Sequence, residues 1–202
     1  VDLGPNETIL IEPGAMSRMS SNLDSSFQRQ GGFFSAMFRK MFGGENFFLG
    51  KYEHPDGGKL TFAPSIPGHV EHRQLTNNSL NIMAGGFLAC TPGVNIKAKF
   101  GGLKALFSGE GAFLLEASGS GDLFFNSFGG IVEKEINGEF IVDTGHVVAF
   151  DPSLDYKITG MGSFKSTMLS GEGMVMRFSG NGKLYLQTRN VSSIASWLTP
   201  RL

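Results

Sequence analysis

Histidines offer the first candidate for chemistry in this sequence. His69 and His72 form a His-x-x-His spacing, which suggests a pair of metal ligands. On a β-strand, however, side chains alternate between the two faces with a period of two, so these rings should point to opposite faces. The remaining histidines, His54 and His146, are isolated and are predicted in turns or at the surface. The sequence therefore predicts no metal site.

Nucleophiles and phosphate-binding loops are equally sparse. Cys90 ends the apolar run Phe87–Cys90, so we predict a small buried hydrophobic residue rather than a reactive thiol. No Gly-x-Ser-x-Gly elbow occurs, and the glycine clusters lie between short apolar segments, where they indicate turns and bulges. We therefore predict no catalytic residue and no cofactor, which makes an enzyme the least favoured function.

A Gly-Glu pair recurs three times and reveals an internal repeat. The glutamates Glu45, Glu110 and Glu172 are spaced by 65 and then 62 residues. After each pair, an apolar segment, a turn signal and a second apolar segment predict a strand, a tight turn and a second strand. The turn signals are Asp56-Gly57-Gly58, Ser120-Gly121 and Asn181-Gly182. Since repeated positions usually keep what the fold requires, we predict turn or strand-end roles for the three glutamates rather than a ligand site.

Two further elements repeat and fix the predicted organisation. Strands with alternating residues are predicted at 70–75 and 131–136. Val1–Leu3 resembles the end of the corresponding strand in the first repeat, so the chain is expected to start partway into that repeat. A short apolar strand followed by glycine occurs at 10–14, 82–86 and 141–145. The predicted class is all-β, with β-sandwich or short double-stranded β-helix units packed into one body and few short helices. The predicted repeats are 1–66, 67–128 and 129–191, and a short helix at 192–202 is expected to be N-capped by Ser192 or Ser193.

The connector before the first Gly-Glu pair is the strongest candidate for a contact surface. Its large apolar residues have helical spacing and flank Arg39 and Lys40, a pattern that suits either an anionic membrane surface or a subunit contact. The corresponding segments of the other two repeats are also apolar, which favours packing. The candidate contact residues are Phe33, Phe34, Met37, Phe38, Met41 and Phe42.

The composition also limits which classes of partner are expected. The chain of 202 residues is 41% hydrophobic and only 17% charged, with a net charge of -1, so nucleic acid is a disfavoured partner. The densest basic group is Lys97, Lys99 and Lys104. The single cysteine favours a reducing compartment, and neither a membrane-spanning run nor a signal peptide is visible. A cytoplasmic location is expected in a bacterium and a mitochondrial one in a eukaryote.

Several of these stretches resemble a known family. They are Glu12–Met16, Gly109–Gly111, Leu186–Asn190 and Ala195–Leu198, and they resemble the altered-inheritance-of-mitochondria (number 24) family. The resemblance covers nearly the whole chain. It implies a fold similar to the tryptophan RNA-binding attenuator protein, present in triplicate, and assembly into a ring-like homotrimer of nine units. It supplies no catalytic residues, and it links the mitochondrial members to inner-membrane organisation.

Three functions follow as expectations. The first is a non-enzymatic structural or scaffold protein that self-associates and acts through its surface. The second is a module that binds RNA or a small ligand, by analogy with the attenuator protein. The third is a membrane-surface organiser that acts through Phe33–Phe42.

Overall fold

The computed structural model describes residues 1–29, 48–100, 113–160 and 174–199, and this part of the chain is almost entirely β-structure. The all-β prediction is therefore confirmed. The strands and helices are β1 Asp2–Leu3, β2 Thr8–Ile11, β3 Met16–Met19, β4 Asp24–Arg29, β5 Phe48–Glu53, β6 Gly58–Phe62, β7 Val70–Met83, β8 Phe87–Cys90, β9 Val94–Phe100, β10 Phe113–Asn126, β11 Ile131–Asp143, a 3-10 turn Thr144–His146, β12 Val147–Phe150, β13 Leu154–Gly160, β14 Met174–Gln187 and helix α1 Val191–Leu198.

Burial differs between the long and the short strands. The first half of β7 alternates between exposed and more buried residues, with Val70 exposed and Glu71, Arg73 and Leu75 on the more buried face. By contrast, the apolar runs of β8 and β12 are buried at every position, so both faces of these short strands lie in the core. Cys90 is fully buried at the end of β8, as predicted, and burial raises the pKa of its thiol to about 12.

The predicted hairpins are wrong in the second and third repeats. Ser120-Gly121 and Asn181-Gly182 lie inside the continuous 14-residue strands β10 and β14. Long neighbouring strands extend the ladder past these glycines, so the chain bends there, with a register shift between Gly119 and Ser120 in β10. In the first repeat a turn does form at Asp56-Gly57, but β5 and β6 separate into different sheets rather than pairing.

Strand pairing places every described strand in one of two sheets. A three-stranded sheet has the order β1-β6-β3, and an eleven-stranded sheet contains the rest. Strand β10 pairs with β7, β8 and β9, and β14 pairs in the same way with β11, β12 and β13. In the first part of the chain, the two short strands β5 and β6 together make the pairings that β10 or β14 makes alone. Strand β5 pairs with β2 and β4, and strand β6 pairs with β1 and β3. Repeat boundaries at 66/67 and 128/129 stay a prediction.

Short strands join these groups into one body. Strand β8 pairs with β2 as well as β10, and β12 pairs with β7 as well as β14. The largest buried cluster accordingly contains residues from all three parts of the chain, among them Leu10, Leu80 and Val148. Burial of such side chains contributes about 1.5–3 kcal/mol each relative to exposure.

The predicted C-terminal helix forms, but its cap differs. Helix α1 begins at Val191, and the side chain of Asn190 accepts hydrogen bonds from the backbone N–H groups of Ser192 and Ser193. Ser192 and Ser193 are thus the capped residues rather than the caps, because an N-cap acceptor reaches the N–H groups two and three positions later. In the described residues, no helix is long and apolar enough to cross a membrane.

Candidate functional site

One short strand, β3, lies at an open edge of its sheet. Its counterparts β8 and β12 each lie between two strands, β10 and β2 for β8 and β14 and β7 for β12, and are completely buried. Strand β3 makes the corresponding pair with β6, including a register shift between Met16 and Arg18 like the one between Val147 and Ala149 in β12. Within the described chain nothing pairs with its other side, and all four of its residues are exposed.

A complementary edge lies at the end of β11. Leu10 and Asn81 pair with Cys90 of β8 and Phe150 of β12 and are 0% and 6% exposed. Strand pairing places Ile141 of β11, opposite Arg177 of β14, in the same register, but no described short strand covers it and it is 47% exposed. Among the described strands, β3 and β11 thus each have an open edge, and each edge lacks the kind of neighbour that the other provides.

Both edges are concave and carry charge. Beside β11, a hollow of about 410 Å³ is lined by residues that include Glu139, Ile141 and Tyr156. Beside β3, a hollow of about 530 Å³ is lined by residues that include Arg18 and Met19. Arg18 is held in place by a hydrogen bond of 3.1 Å from its Nε to Thr61 Oγ1. Each hollow is lined by charges of both signs, Glu139, Asp155, Lys157 and Arg177 beside β11 and Asp2, Arg18 and Lys59 beside β3.

A third cavity lies where the three parts of the chain meet. It has a volume of about 280 Å³ and is lined by Glu12 after β2, Met83 and Gly86 around the β7–β8 turn, Asn126 after β10, and Val148 of β12, among others. Glu12 is half-buried, and desolvation raises the pKa of its carboxyl to about 7. Glu12 was not recognised as a candidate from the sequence.

The pKa of Glu12 makes stability depend on pH. Its pKa in the folded state is about 7, against 4.5 as the ordinary value, so the folded chain binds more protons than the unfolded chain between these pH values. Raising the pH from 4.5 to above 7 should therefore remove about 2 kcal/mol from the free energy of unfolding, allowing for solvent screening. Urea unfolding of wild type and Glu12→Gln across this range measures the difference, and parallel pH profiles would contradict the assignment.

Comparisons with known proteins match the chain over most of its length. A protein family described as "Mitochondrial biogenesis AIM24" matches residues 1–189. The chain belongs to this family. An uncharacterised protein of Streptococcus pyogenes serotype M6, M6_Spy0233, is 30% identical over 207 residues, which cover 98% of this chain and 84% of the relative. The crystal structure of protein SPYM3_0169 from Streptococcus pyogenes has a TM-score of 0.82 and 29% identity, covering 100% of this chain and 92% of that one.

The histidines of this AIM24-family chain pair with separate acids. His69 Nε2 lies 3.3 Å from Glu71 Oε2, and His72 Nε2 lies 2.8 Å from Asp122 Oδ1. The His72 ring also stacks on Phe124, with the ring centroids 4.7 Å apart. No group of three or more potential metal ligands occurs in the described ranges. His54 follows β5 and lies 3.3 Å from Asn22 Nδ2, and His146 Nδ1 lies 2.8 Å from the Gln187 carbonyl oxygen.

Several sequence candidates fall outside the described residues. They are the apolar contact set from Phe33 to Phe42, the repeated glutamates Glu45, Glu110 and Glu172, and Lys104 of the basic group. Of the other two lysines in that group, Lys99 forms an ion pair of 2.8 Å with Glu116, which reduces the basic character of this surface.

The open edges of this AIM24-family fold were missed in the sequence, although a signal exists. Ser17 and Arg18 of β3 stand where β8 and β12 have apolar residues, Leu88 and Ala89 in β8. A polar sequence at one copy of a buried strand indicates that this copy lies in a different environment.

Proposed function

We propose that this protein is a non-enzymatic structural protein that assembles head to tail with copies of itself, β3 of one copy pairing with β11 of the next. The observation that carries this proposal is the exposure of Ile141 at 47%, against 0% and 6% for Leu10 and Asn81 in the same register. A second copy would supply the short strand that Ile141 lacks.

The pairings inside the chain fix the expected register between copies. Ala89 pairs with Ile11 and Cys90 with Leu10, and Ala149 pairs with Ile82 and Phe150 with Asn81. The matching positions on β3 are Arg18 and Met19, as their pairing with β6 shows. Met19 should therefore lie opposite Ile141 of the next copy, with Arg18 opposite Val142.

Head-to-tail contacts of this kind either close into a ring or continue into a filament. We propose a closed ring of three copies, so that nine similar units surround one axis. The family resemblance supports this number, and the short strands that already join neighbouring parts of each chain support a ring with equivalent joints throughout. Closure would also remove the open edges, which otherwise favour uncontrolled aggregation.

A charge pair introduced across this joint provides the test. Ile141→Lys is expected to convert the assembly to monomers at micromolar concentration, measured by size-exclusion chromatography with light scattering, because it places a charge opposite the apolar Met19. Adding Met19→Glu should restore assembly by pairing Glu with Lys. Val132→Lys, at a 50% exposed position on the same strand but away from the joint, is the matched control. A monomeric wild type, or an Ile141→Lys variant that still assembles, would overturn the proposal.

The alternatives have weaker support. RNA binding would rest on Lys97 and Lys99, yet Lys99 is paired with Glu116. Membrane contact would rest on Phe33–Phe42, and liposome flotation of wild type against a Phe34→Ser, Phe38→Ser variant tests it directly. The buried, unreactive Cys90 supports the cytoplasmic location that we propose for a bacterial protein.

A further inference from the structure

We propose that the 280 Å³ cavity at the junction of the three parts of the chain binds a small aliphatic ammonium ion, held by Glu12 and Asn126. This inference concerns a ligand site inside each chain and does not depend on assembly. It rests on the unpaired acceptors of the cavity wall, the absence of a neutralising base and the apolar remainder of the lining.

Two oxygen acceptors of the wall lack partners. Asn126 is 4% exposed, and its side-chain Oδ1 is buried without a hydrogen bond. The half-buried Glu12 carboxylate has no hydrogen bond or ion pair within the described chain. Buried polar groups are nearly always paired, because an acceptor left unpaired loses its hydrogen bonds to water without replacement. Both groups accept rather than donate, so the missing partner must bring N–H or O–H donors.

The charge of the wall favours a cation over a neutral donor. Glu12 is the one titratable residue among the lining residues, so no Lys, Arg or His of the lining neutralises it. Desolvation alone raises its pKa, and a bound ammonium would reverse that effect by stabilising the carboxylate. Most other lining side chains are apolar, including Ile66, Met83 and Val147, and these suit an alkyl body.

The wall is rigid, and the fold does not require its carboxylate. Gln187 is fixed at both ends, since its Nε2 donates to the Gly145 carbonyl oxygen at 2.7 Å and its Oε1 accepts from Phe128 N at 2.9 Å. By strand pairing, Glu12 corresponds to Met83 on β7 and to Asp143 on β11. Met83 is apolar, and Asp143 uses its carboxylate to accept a hydrogen bond of 2.7 Å from Gly145 N, whereas Glu12 makes no such bond in the described chain. A carboxylate at Glu12 therefore points to a role of its own. At about 30 Å³ per water-sized atom, the cavity accommodates roughly nine such atoms.

Binding of n-butylammonium, with butan-1-ol and butyrate as probes of matched size, tests the site at pH 8. Chemical shifts in NMR titrations are expected to give a millimolar dissociation constant for n-butylammonium, as befits a ligand of this size. Butan-1-ol and butyrate should bind at least tenfold more weakly. Glu12→Gln should weaken n-butylammonium binding at least tenfold, whereas Asp24→Asn, at an exposed carboxylate on β4, should not change it.

Two additional measurements separate ligand binding from effects on folding and on assembly. Glu12→Gln should keep the circular dichroism spectrum of the wild type, since the uncharged Met83 occupies the corresponding position on β7. The same titration on Ile141→Lys should give an unchanged dissociation constant whether or not the chain assembles, so a failure of one proposal leaves the other standing. Equal binding of butan-1-ol and n-butylammonium, no binding at all, or binding unaffected by Glu12→Gln would overturn the site.

Discussion

Replacing Asp151 by alanine is expected to lower the free energy of unfolding by about 3–5 kcal/mol. One Asp151 oxygen lies 2.9 Å from Arg73 Nη1, and the other accepts a hydrogen bond of 2.9 Å from the backbone N–H of Lys183. Both charged side chains are largely buried, at 21% and 17% exposure. The alanine variant leaves Arg73 without its carboxylate partner in a partly desolvated site, although Arg73 still lies 5.9 Å from the centre of the Tyr185 ring.

The counterparts of Asp151 separate its two roles. Ser20 Oγ accepts from the backbone N–H of Lys59, and Thr91 Oγ1 accepts from that of Asp122, each at 2.9 Å. These positions have the hydrogen bond without an ion pair, so Ser20→Ala should cost only about 1 kcal/mol. Urea unfolding of Asp151→Ala, Ser20→Ala and the surface control Asp155→Ala gives the comparison. Similar losses for Asp151→Ala and Ser20→Ala would show that the ion pair contributes little.

This ion pair also shows how much of the fold can be predicted from the sequence. The alternation at 70–75 and the apolar run 87–90 predict strands because side-chain periodicity is local, and both strands form. Arg73 and Asp151 are 78 residues apart, and nothing local in the sequence indicates that β7 lies beside β12. Neighbouring strands likewise determine that β10 and β14 continue through their glycines, and a local turn signal carries no information about those neighbours.

The open edges show the same limit for the candidate site. Ile141 and Leu10 hold the same register and are similar apolar residues, yet Ile141 is exposed and Leu10 is buried. The difference depends on whether a later short strand of the described chain pairs there. Glu12 was not a candidate in the sequence, and only the cavity around it made it one. The all-β class could therefore be predicted from the sequence, whereas the strand edges left without a neighbour could not.

Replacing Gly119 by alanine is expected to lower the free energy of unfolding by about 2–5 kcal/mol. Gly119 has φ of +124°, where an L side chain is strained by about 1–2 kcal/mol. It lies at the register shift of β10, and an added Cβ would overlap the carbonyl oxygen of Gly93. That oxygen already accepts a hydrogen bond of 3.1 Å from Ser120 N, so moving it breaks the contact between β10 and the turn before β9. Backbone displacement of this kind adds about 1–3 kcal/mol.

Gly138→Ala isolates the steric part of this loss. Gly138 has φ of +105° in the middle of β11, but an added Cβ there meets no atom within 4 Å. Its substitution should therefore cost only the backbone strain, about 1–2 kcal/mol. Urea denaturation curves of the two variants provide the measurement, and equal losses would mean that the close approach of Gly93 is relieved without cost. A larger loss at Gly119 would identify the bend of β10 over the Gly93 turn as the feature that requires glycine, which explains why a turn-like Ser-Gly pair occurs inside a continuous strand.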